Sequence, residues 1–474
     1  MNYFFDRDAE GDGANFIGVS GYGRVDDIEP LDPEGFKVLL ALNVMKKESL
    51  EQCGLQRGDR QLVKKPLKEM KVNPYESAVI FRVEIEVDIK GAGYSNIEEF
   101  EGDHWGRWFT VTVNGYGAQS GDAKLYSKLF RAPVDADIRY ALVSERYVSP
   151  LNREFSLDTA STIRENRFEQ SVRSRLKSAE YLAVYDVGQG NANAFITSQN
   201  SACPSLYYDL GAGIGSNLKT MPMGLTFCLC NSPLIILSHW DKDHWAGALI
   251  KSGVTAPALN LRWIVPRQQL DPVHKTFAFE IIAAGGSVKV LDLSPNQIVS
   301  FKLVDGSGFS VTRGVGNTKN SSGFVLVVEN NDANYPASWV LTGDYEYRYF
   351  PTGLTFPDPV VLLAPHHGAS IKPTSIVPPP SKVSQYRRLI YSFGPDNRFR
   401  ACQHPTISSV TAHMNSHWAV GDWDTSPGAD CFSGDIRSTA NHSPSLNRGG
   451  VLVGWEQVQG ALPSCGTNAA LKKT

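Results

Sequence analysis

With 474 residues the chain exceeds what one ordinary core holds, so two domains are expected. Hydrophobic residues at 42% and charged residues at 20% exclude a disordered chain, and the net charge of −3 gives no overall basic footprint for nucleic acid. No apolar run approaches the ~18 residues of a membrane span, and Met1–Asp8 has no basic segment leading into an apolar core, so no membrane association and a cytoplasmic location are expected.

Residues 1–135 read as a β-rich domain. Phe36–Asn43, Ser77–Ile89 and Trp108–Gly117 have strand composition, the last two with period-two alternation, and glycine-rich turns separate them. No cluster of metal-ligating residues occurs here, and His104 reads as a surface or half-buried residue. Lys64, Lys65, Lys68 and Lys71 read as a solvated face, with a nucleic-acid contact as the sharper alternative. This domain is where a second copy or a partner protein would dock. Residues 136–179 form a helical connector, centred on a helix over Thr162–Glu180 that carries Arg164, Arg167, Arg173, Arg175 and Lys177.

Residues 180–474 carry the chemistry. Tyr181–Phe195 is strand, glycine turn, strand, with Gln189 and Asn191 in a turn whose glycines allow close approach to a ligand. Another strand runs into Asp209-Leu210-Gly211. The apolar run Leu234–Leu237 then delivers His239, Asp241, Asp243 and His244 within six residues, followed by a predicted helix. Ligand sites of open α/β sheets form at such strand ends. Two imidazoles and two carboxylates at this density demand a cation when buried. Further strands end at Asp344, at His366 and His367, and in a loop holding Asn397, Arg398, Arg400 and His404. Seven cysteines without a C-x-x-C pair suit a reduced interior. Cys228 and Cys230, two apart on a predicted strand, are expected to face opposite ways and argue against a zinc ribbon.

The spacing H-x-D-x-D-H resembles the H-x-H-x-D-H motif of metallo-β-lactamase-fold hydrolases. The variant with aspartate in second place is similar to the soluble hydrolase domain of ComEC-type DNA-uptake proteins. D-V-G-Q-G at 186–190, Y-D-L-G at 208–211, G-D at 343–344, P-H-H-G-A at 365–369 and S-F-G-P-D-N…H-P at 392–405 occur in the order of that family. The resemblance covers about residues 180–410. It implies an α/β fold, an αββα sandwich of two mixed sheets with helices outside, beside the β-rich N-terminal domain. It also implies two divalent metal ions: His239 and Asp241 at one site, Asp243 and His244 at the other with His366 (or, in the reverse assignment, His367), and Asp344 bridging. His367 and His404 would face the substrate or supply an acid, with Asp243 as a further catalytic group. Gln189, Asn191, Asn397 and Arg398 would bind substrate.

The family's lone third histidine for the first site is missing, since His274, the only candidate, lies in the wrong context and reads as a bystander. A carboxylate-rich site shifts preference from Zn²⁺ toward Mn²⁺ or Mg²⁺. The expected activity is phosphodiester hydrolysis, with a nuclease acting on DNA or RNA foremost. A cyclic-nucleotide or other small-molecule hydrolase of the same type, or a non-catalytic binding protein, are the alternatives.

Overall fold

The computed structural model describes residues 1–8, 16–32, 34–52, 73–116, 123–332, 334–397, 404–421, 432, 434–440 and 449–474. The lysines at 64, 65, 68 and 71, together with Arg398 and Arg400, lie outside the described residues. The described chain forms two units. The first comprises Met1–Ser161 and Gln269–Val288; the second comprises Thr162–Gln268, residues 289–397 and 404–474.

The first unit is built on β1 (Ser20–Pro30), β2 (Lys37–Lys46), β3 (Ile80–Asp88), β4 (Trp108–Tyr116), β5 (Ala123–Tyr126) and β6 (Val134–Leu142). These close into a six-stranded antiparallel barrel in the order β1-β2-β3-β5-β6-β4. Alternation sends Val38, Leu40, Leu42 and Val44 of β2 inward against Phe81, Val83 and Ile85 of β3 and Val111 and Val113 of β4. Closure removes the exposed edges that an open sheet of this size would carry. Position 135, expected to end the N-terminal domain, falls inside β6. Three helices, α1 (Lys47–Gln52), α2 (Ile97–His104) and α3 (Glu145–Glu154), accompany the barrel.

The second unit holds two sheets. The first contains β7 (Ser161–Ile163), β8 (Tyr181–Val184), β9 (Ala192–Ile196), β10 (Leu206–Leu210), β11 (Leu234–Ile236), β12 (Arg262–Pro266) and β13 (Ser287–Leu291). The second contains β14 (Ile298–Lys302), β15 (Gly308–Arg313), β16 (Phe324–Glu329), β17 (Ser338–Leu341), β18 (Pro359–Leu363), β19 (Arg388–Tyr391) and β20 (Ile436–Ser438), in chain order. Strands β21 (Val451–Val453) and β22 (Lys472–Lys473) return to the first sheet, which reads β22-β21-β8-β9-β10-β11-β12-β13-β7. Both sheets are mixed: β10-β11-β12 and β17-β18-β19-β20 run parallel, and the flanking pairs β8-β9 and β14-β15-β16 antiparallel. The parallel strands are buried on both faces, which is why they read as unbroken apolar runs rather than alternating ones. Alternation still sorts β16: Phe324, Leu326 and Val328 join Val184, Phe195 and Ile236 in the core shared by the two sheets, while Val325 and Val327 turn to the other face.

The expected α/β class, an αββα sandwich, is corrected: the fold is β-rich, with a closed barrel and two large mixed sheets. Only six α-helices occur among the described residues, and of these α4 (Glu165–Arg175) and α6 (Ile407–Asn415) alone belong to the second unit, α5 (Pro272–Ala283) lying in the first. The physical reason lies in the connections. Segments rich in glycine, proline and asparagine close as 3₁₀ turns, as at Gly215–Thr220, Pro257–Asn260 and Pro365–Gly368. The helix expected after His244 is two such turns, Lys242–His244 and Ala246–Leu249.

The reading of a reduced interior is also corrected. Cys203 pairs with Cys230 and Cys228 with Cys465 in disulfides, with Cα separations of 5.5 and 5.2 Å. Cys228 and Cys230 sit on no strand, so period-two alternation does not govern them. Among the described residues, no helix is long and apolar enough to cross a membrane.

Candidate metal centre

The site forms in the second unit, where parallel strands of both sheets end. Asp209, at the end of β10, has φ of 64°, a left-handed backbone unusual for a side-chain-bearing residue. Its carboxylate accepts from the Ser238 backbone N–H at 2.6 Å and the Ser238 hydroxyl at 2.8 Å. It also accepts from His244 Nδ1–H at 2.8 Å. The Ser238 hydroxyl oxygen lies 2.9 Å from His239 Nδ1 and accepts its proton. His367 Nδ1–H donates to the Ser392 carbonyl at 2.7 Å. In all three rings Nδ1 is committed, which fixes the orientation and makes Nε2 the atom that a metal ion would meet.

Those Nε2 atoms converge on carboxylates. His244 Nε2 is 2.9 Å from Asp344 Oδ1 and His239 Nε2 is 3.6 Å from Asp344 Oδ2. His239 Nε2 is also 3.2 Å from Asp241 Oδ2. His367 Nε2 lies 3.1 Å from Asp243 Oδ2 and 3.8 Å from Asp344 Oδ1. His239, His244 and Asp344 make one group able to hold a cation, and Asp243, His244 and His367 a second. Asp344 touches histidines of both groups.

Backbone crowding explains the loop above the cluster. A Cβ on Gly211 would overlap the Asp243 carbonyl, and one on Gly190 would come within 2.7 Å of it. The same carbonyl accepts from Asn191 N–H at 3.1 Å, so the first glycine turn fastens the ligand loop in place.

Of the two assignments open for the adjacent histidines, the geometry matches the reverse one. His367, rather than His366, joins Asp243 and His244. His366 stands 3.7 Å from Asp344 Oδ2 with its side chain 26% exposed. The pair does not continue the extended strand: His366 and His367 take left-handed φ values of 47° and 54° in the turn after β18. Each such residue costs on the order of 1 kcal/mol, a strain that clusters at functional sites.

Lys319 is a site residue that the sequence reading missed. Its ammonium lies 2.5 Å from Asp241 Oδ1 and its side chain is buried. Gln268 anchors the lysine's loop, donating from Nε2 to the Lys319 carbonyl at 2.6 Å while its Oε1 accepts from Trp240 N–H at 3.1 Å. Asp241 therefore divides its oxygens between His239 and a resident cation. No spacing in Lys319-Asn320-Ser321-Ser322 announces this, since a long side chain reaches the cluster from outside the ligand motifs. His274, read as a bystander, belongs to the first unit, where Asp271 Oδ2 lies 3.0 Å from its Nδ1.

The substrate-side candidates are mostly held internally. Gln189 Nε2 lies 3.3 Å from His404 Nδ1, and its Oε1 accepts from Gly394 N–H at 3.3 Å. That orientation gives Gln189 the donor role toward Nδ1 and puts the His404 proton on Nε2. The His404 and His366 ring centroids are 5.4 Å apart. Asn397 is buried and donates to the His404 carbonyl at 2.8 Å, so it positions the loop rather than facing outward. Asn191 Oδ1 accepts from Asn193 Nδ2 at 2.9 Å and is likewise turned inward.

Electrostatics fit a cation. Burial opposes the His244 imidazolium, but Asp344 and Asp209 outweigh it and hold the pKa well above the usual histidine value. For His239, burial and His244 lower the pKa, while Asp241 and Asp344 more than compensate and raise it. Burial would raise the Asp344 pKa, yet His244, His366 and His367 hold it well below the usual carboxylate range. Protons thus sit where positive charge is wanted. His244 Nε2 and Asp344 Oδ1, both buried, face one another at 2.9 Å as an ion pair and have no other hydrogen-bond partner. Both atoms are of metal-ligating type, so a divalent ion can take the place of the proton they share. The donor set of imidazoles and carboxylates suits Mn²⁺ or Zn²⁺, and Mg²⁺ at its oxygen-rich end.

No protein-family model and no curated protein matches the chain.

Proposed function

We propose that the chain is a metal-dependent hydrolase of phosphodiester bonds, acting on DNA or RNA. The observation that carries this reading is the convergence of His239, His244, Asp243 and His367 around Asp344, with His244 Nε2 and Asp344 Oδ1 buried 2.9 Å apart. The order of the motifs, which resembles that of metallo-β-lactamase-type hydrolases, supports it.

Bound divalent cations would supply Lewis acidity toward a phosphoryl oxygen and toward water. The protein's own residues do the rest. Asp209, Ser238 and the Ser392 carbonyl hold the three ligand rings, so the cluster needs no reorganisation as a substrate arrives. Asp243, 25% exposed, and His366 form the open side of the cluster, where a phosphate enters. The Asp243 carboxylate accepts the proton of the attacking water. His404, with Nδ1 facing the Gln189 amide, presents Nε2–H to the departing oxygen as a general acid. The buried Lys319 ammonium adds positive charge beside the Asp241 carboxylate. The second reading is a cyclic or other small nucleotide, which needs no basic footprint of the kind a polymer uses; a net charge of −3 does not supply one.

The test is hydrolysis of bis-(4-nitrophenyl) phosphate, single- and double-stranded DNA, RNA and cyclic dinucleotides, metal-free and with Mn²⁺, Mg²⁺ or Zn²⁺. Cleavage of the polymers supports the leading reading, and cleavage of cyclic nucleotides alone selects the second. Absence of hydrolysis of every substrate by metal-loaded protein overturns both.

A further inference from the structure

All four cysteines among the described residues meet at one place, apart from the histidine–aspartate cluster. Cys203 lies between β9 and β10, Cys228 and Cys230 precede β11, and Cys465 comes from the C-terminal segment. The two disulfides they form touch one another. Cys228 Sγ is 3.1 Å from Cys230 Sγ, and Cys230 Sγ is 3.7 Å from Cys465 Sγ. The sulfurs of Cys203, Cys228 and Cys230 all lie within 4.8 Å of one another. Four thiolates around a tetrahedral Zn²⁺, each at ~2.3 Å, stand about 3.8 Å apart. Two disulfides merely stapling three segments have no need to share one sulfur cluster.

The loops are also held together by bonds that do not involve sulfur. Thr467 donates to the Thr226 carbonyl from both N–H and hydroxyl at 3.0 Å. Asn468 Nδ2 donates to the Ala202 carbonyl at 2.9 Å, and its Oδ1 accepts from the Tyr185 hydroxyl at 2.7 Å. The Tyr207 hydroxyl donates to the Cys228 carbonyl at 2.9 Å. Breaking the S–S bonds therefore leaves the four sulfurs gathered. Cys228 is buried while Cys230 is exposed, so the cluster is anchored at one side and open to reductant and metal at the other.

We propose that the reduced form of this cluster is a tetrathiolate Zn²⁺ site, formed by Cys203, Cys228, Cys230 and Cys465 and interconverting with the two-disulfide form. Reduction by two equivalents of a dithiol converts both disulfides to four thiols and leaves two oxidised dithiols. Zn²⁺ then displaces four protons to give a centre of net charge −2. Thiolate softness selects Zn²⁺ over the harder ions suited to the histidine–aspartate cluster. Such a site would replace the covalent tie of the C-terminal segment in a reducing compartment.

The test uses the full chain reduced with a phosphine and then loaded with Co²⁺ as a spectroscopic stand-in for zinc. The expected result is sulfur-to-cobalt charge-transfer absorption with the intense visible bands of tetrahedral thiolate coordination. Both are lost on adding Zn²⁺ and absent from protein kept oxidised. A His244→Ala, Asp344→Ala variant should retain these bands, whereas Cys230→Ser and Cys465→Ser should weaken or shift them. Release of the four thiols of Cys203, Cys228, Cys230 and Cys465 without thiolate–cobalt absorption in the reduced wild type would overturn the proposal, as would disulfides that resist the phosphine in the native protein.

Discussion

The ammonium of Lys319 lies 2.5 Å from Asp241 Oδ1, so one carboxylate of the H-x-D-x-D-H motif is neutralised by the protein's own cation. Both side chains are largely withdrawn from water, at 7% and 14% exposure. This arrangement occurs in a motif series with no third histidine for the His239 side. Lys319→Met should leave Asp241 Oδ1 without its cation, with His239 still facing Oδ2, lowering the stability of metal-free protein by about 3 kcal/mol. Added Mn²⁺ should recover most of that loss. Urea denaturation with and without metal measures both effects; equal destabilisation in the two conditions would show that Asp241 lies outside the metal's reach.

Asp344 contacts histidines of both candidate groups, at 2.9 Å from His244 and 3.6 Å from His239. Asp344→Asn keeps the shape and removes the charge. Turnover of bis-(4-nitrophenyl) phosphate should fall about 10³-fold, equivalent to about 4 kcal/mol, with circular dichroism unchanged. Retention of more than a tenth of the activity would remove Asp344 from the centre.

Asp209 reaches no ion itself but orients His244 and, through Ser238, His239. As a positioning residue, its Asp209→Asn variant should bind Mn²⁺ about 10–100-fold more weakly. Saturating metal should restore much of the rate. Calorimetric titration supplies the affinity. An unchanged affinity with a reduced maximal rate would assign Asp209 a different role.

His413 gives a pH signature of the fold. It is buried between the Tyr347 hydroxyl at 2.9 Å from Nε2 and the Tyr391 hydroxyl at 3.0 Å from Nδ1. Burial pushes its pKa down from 6.5 to about 4, against the opposing bond to the Ser409 carbonyl. Between those values the unfolded chain binds a proton that the folded chain does not. Stability is therefore present above pH 6.5 and is lost as pH falls toward 4, by about 3 kcal/mol for this group. His413→Gln should flatten that part of the urea-midpoint profile. A profile as steep as wild type would assign the acid sensitivity elsewhere.

Much of the candidate site's grouping was legible because its residues follow apolar strands. Leu234–Leu237 leading into His239, and Ser338–Leu341 leading to Asp344, announce themselves by composition. That His366 and His367 divide roles was legible; which of them joins Asp243 was not, because it depends on two left-handed residues where an extended strand is the default. Lys319 was hidden because side-chain reach across a loop leaves no periodic trace. Alternation in β3 announced a strand, while closure of the barrel depends on pairings such as β1 with β4, far apart in sequence. The helical layers were over-read, since Ala246–Leu249 has helix-compatible composition but closes as a 3₁₀ turn. The cysteines met through tertiary contact between residues as distant as Cys228 and Cys465, which no spacing rule reports.

Equilibrium dialysis against Mn²⁺ tests the central claim most directly, because Mn²⁺ favours the imidazole–carboxylate cluster over cysteine thiolates. Oxidised wild-type protein should bind Mn²⁺, and His244→Ala, which removes the ring common to both candidate groups, should lose that binding along with phosphodiester hydrolysis. Wild-type protein that binds no divalent ion, or a His244→Ala variant that binds it equally well, would contradict the metal centre and the hydrolase reading built on it.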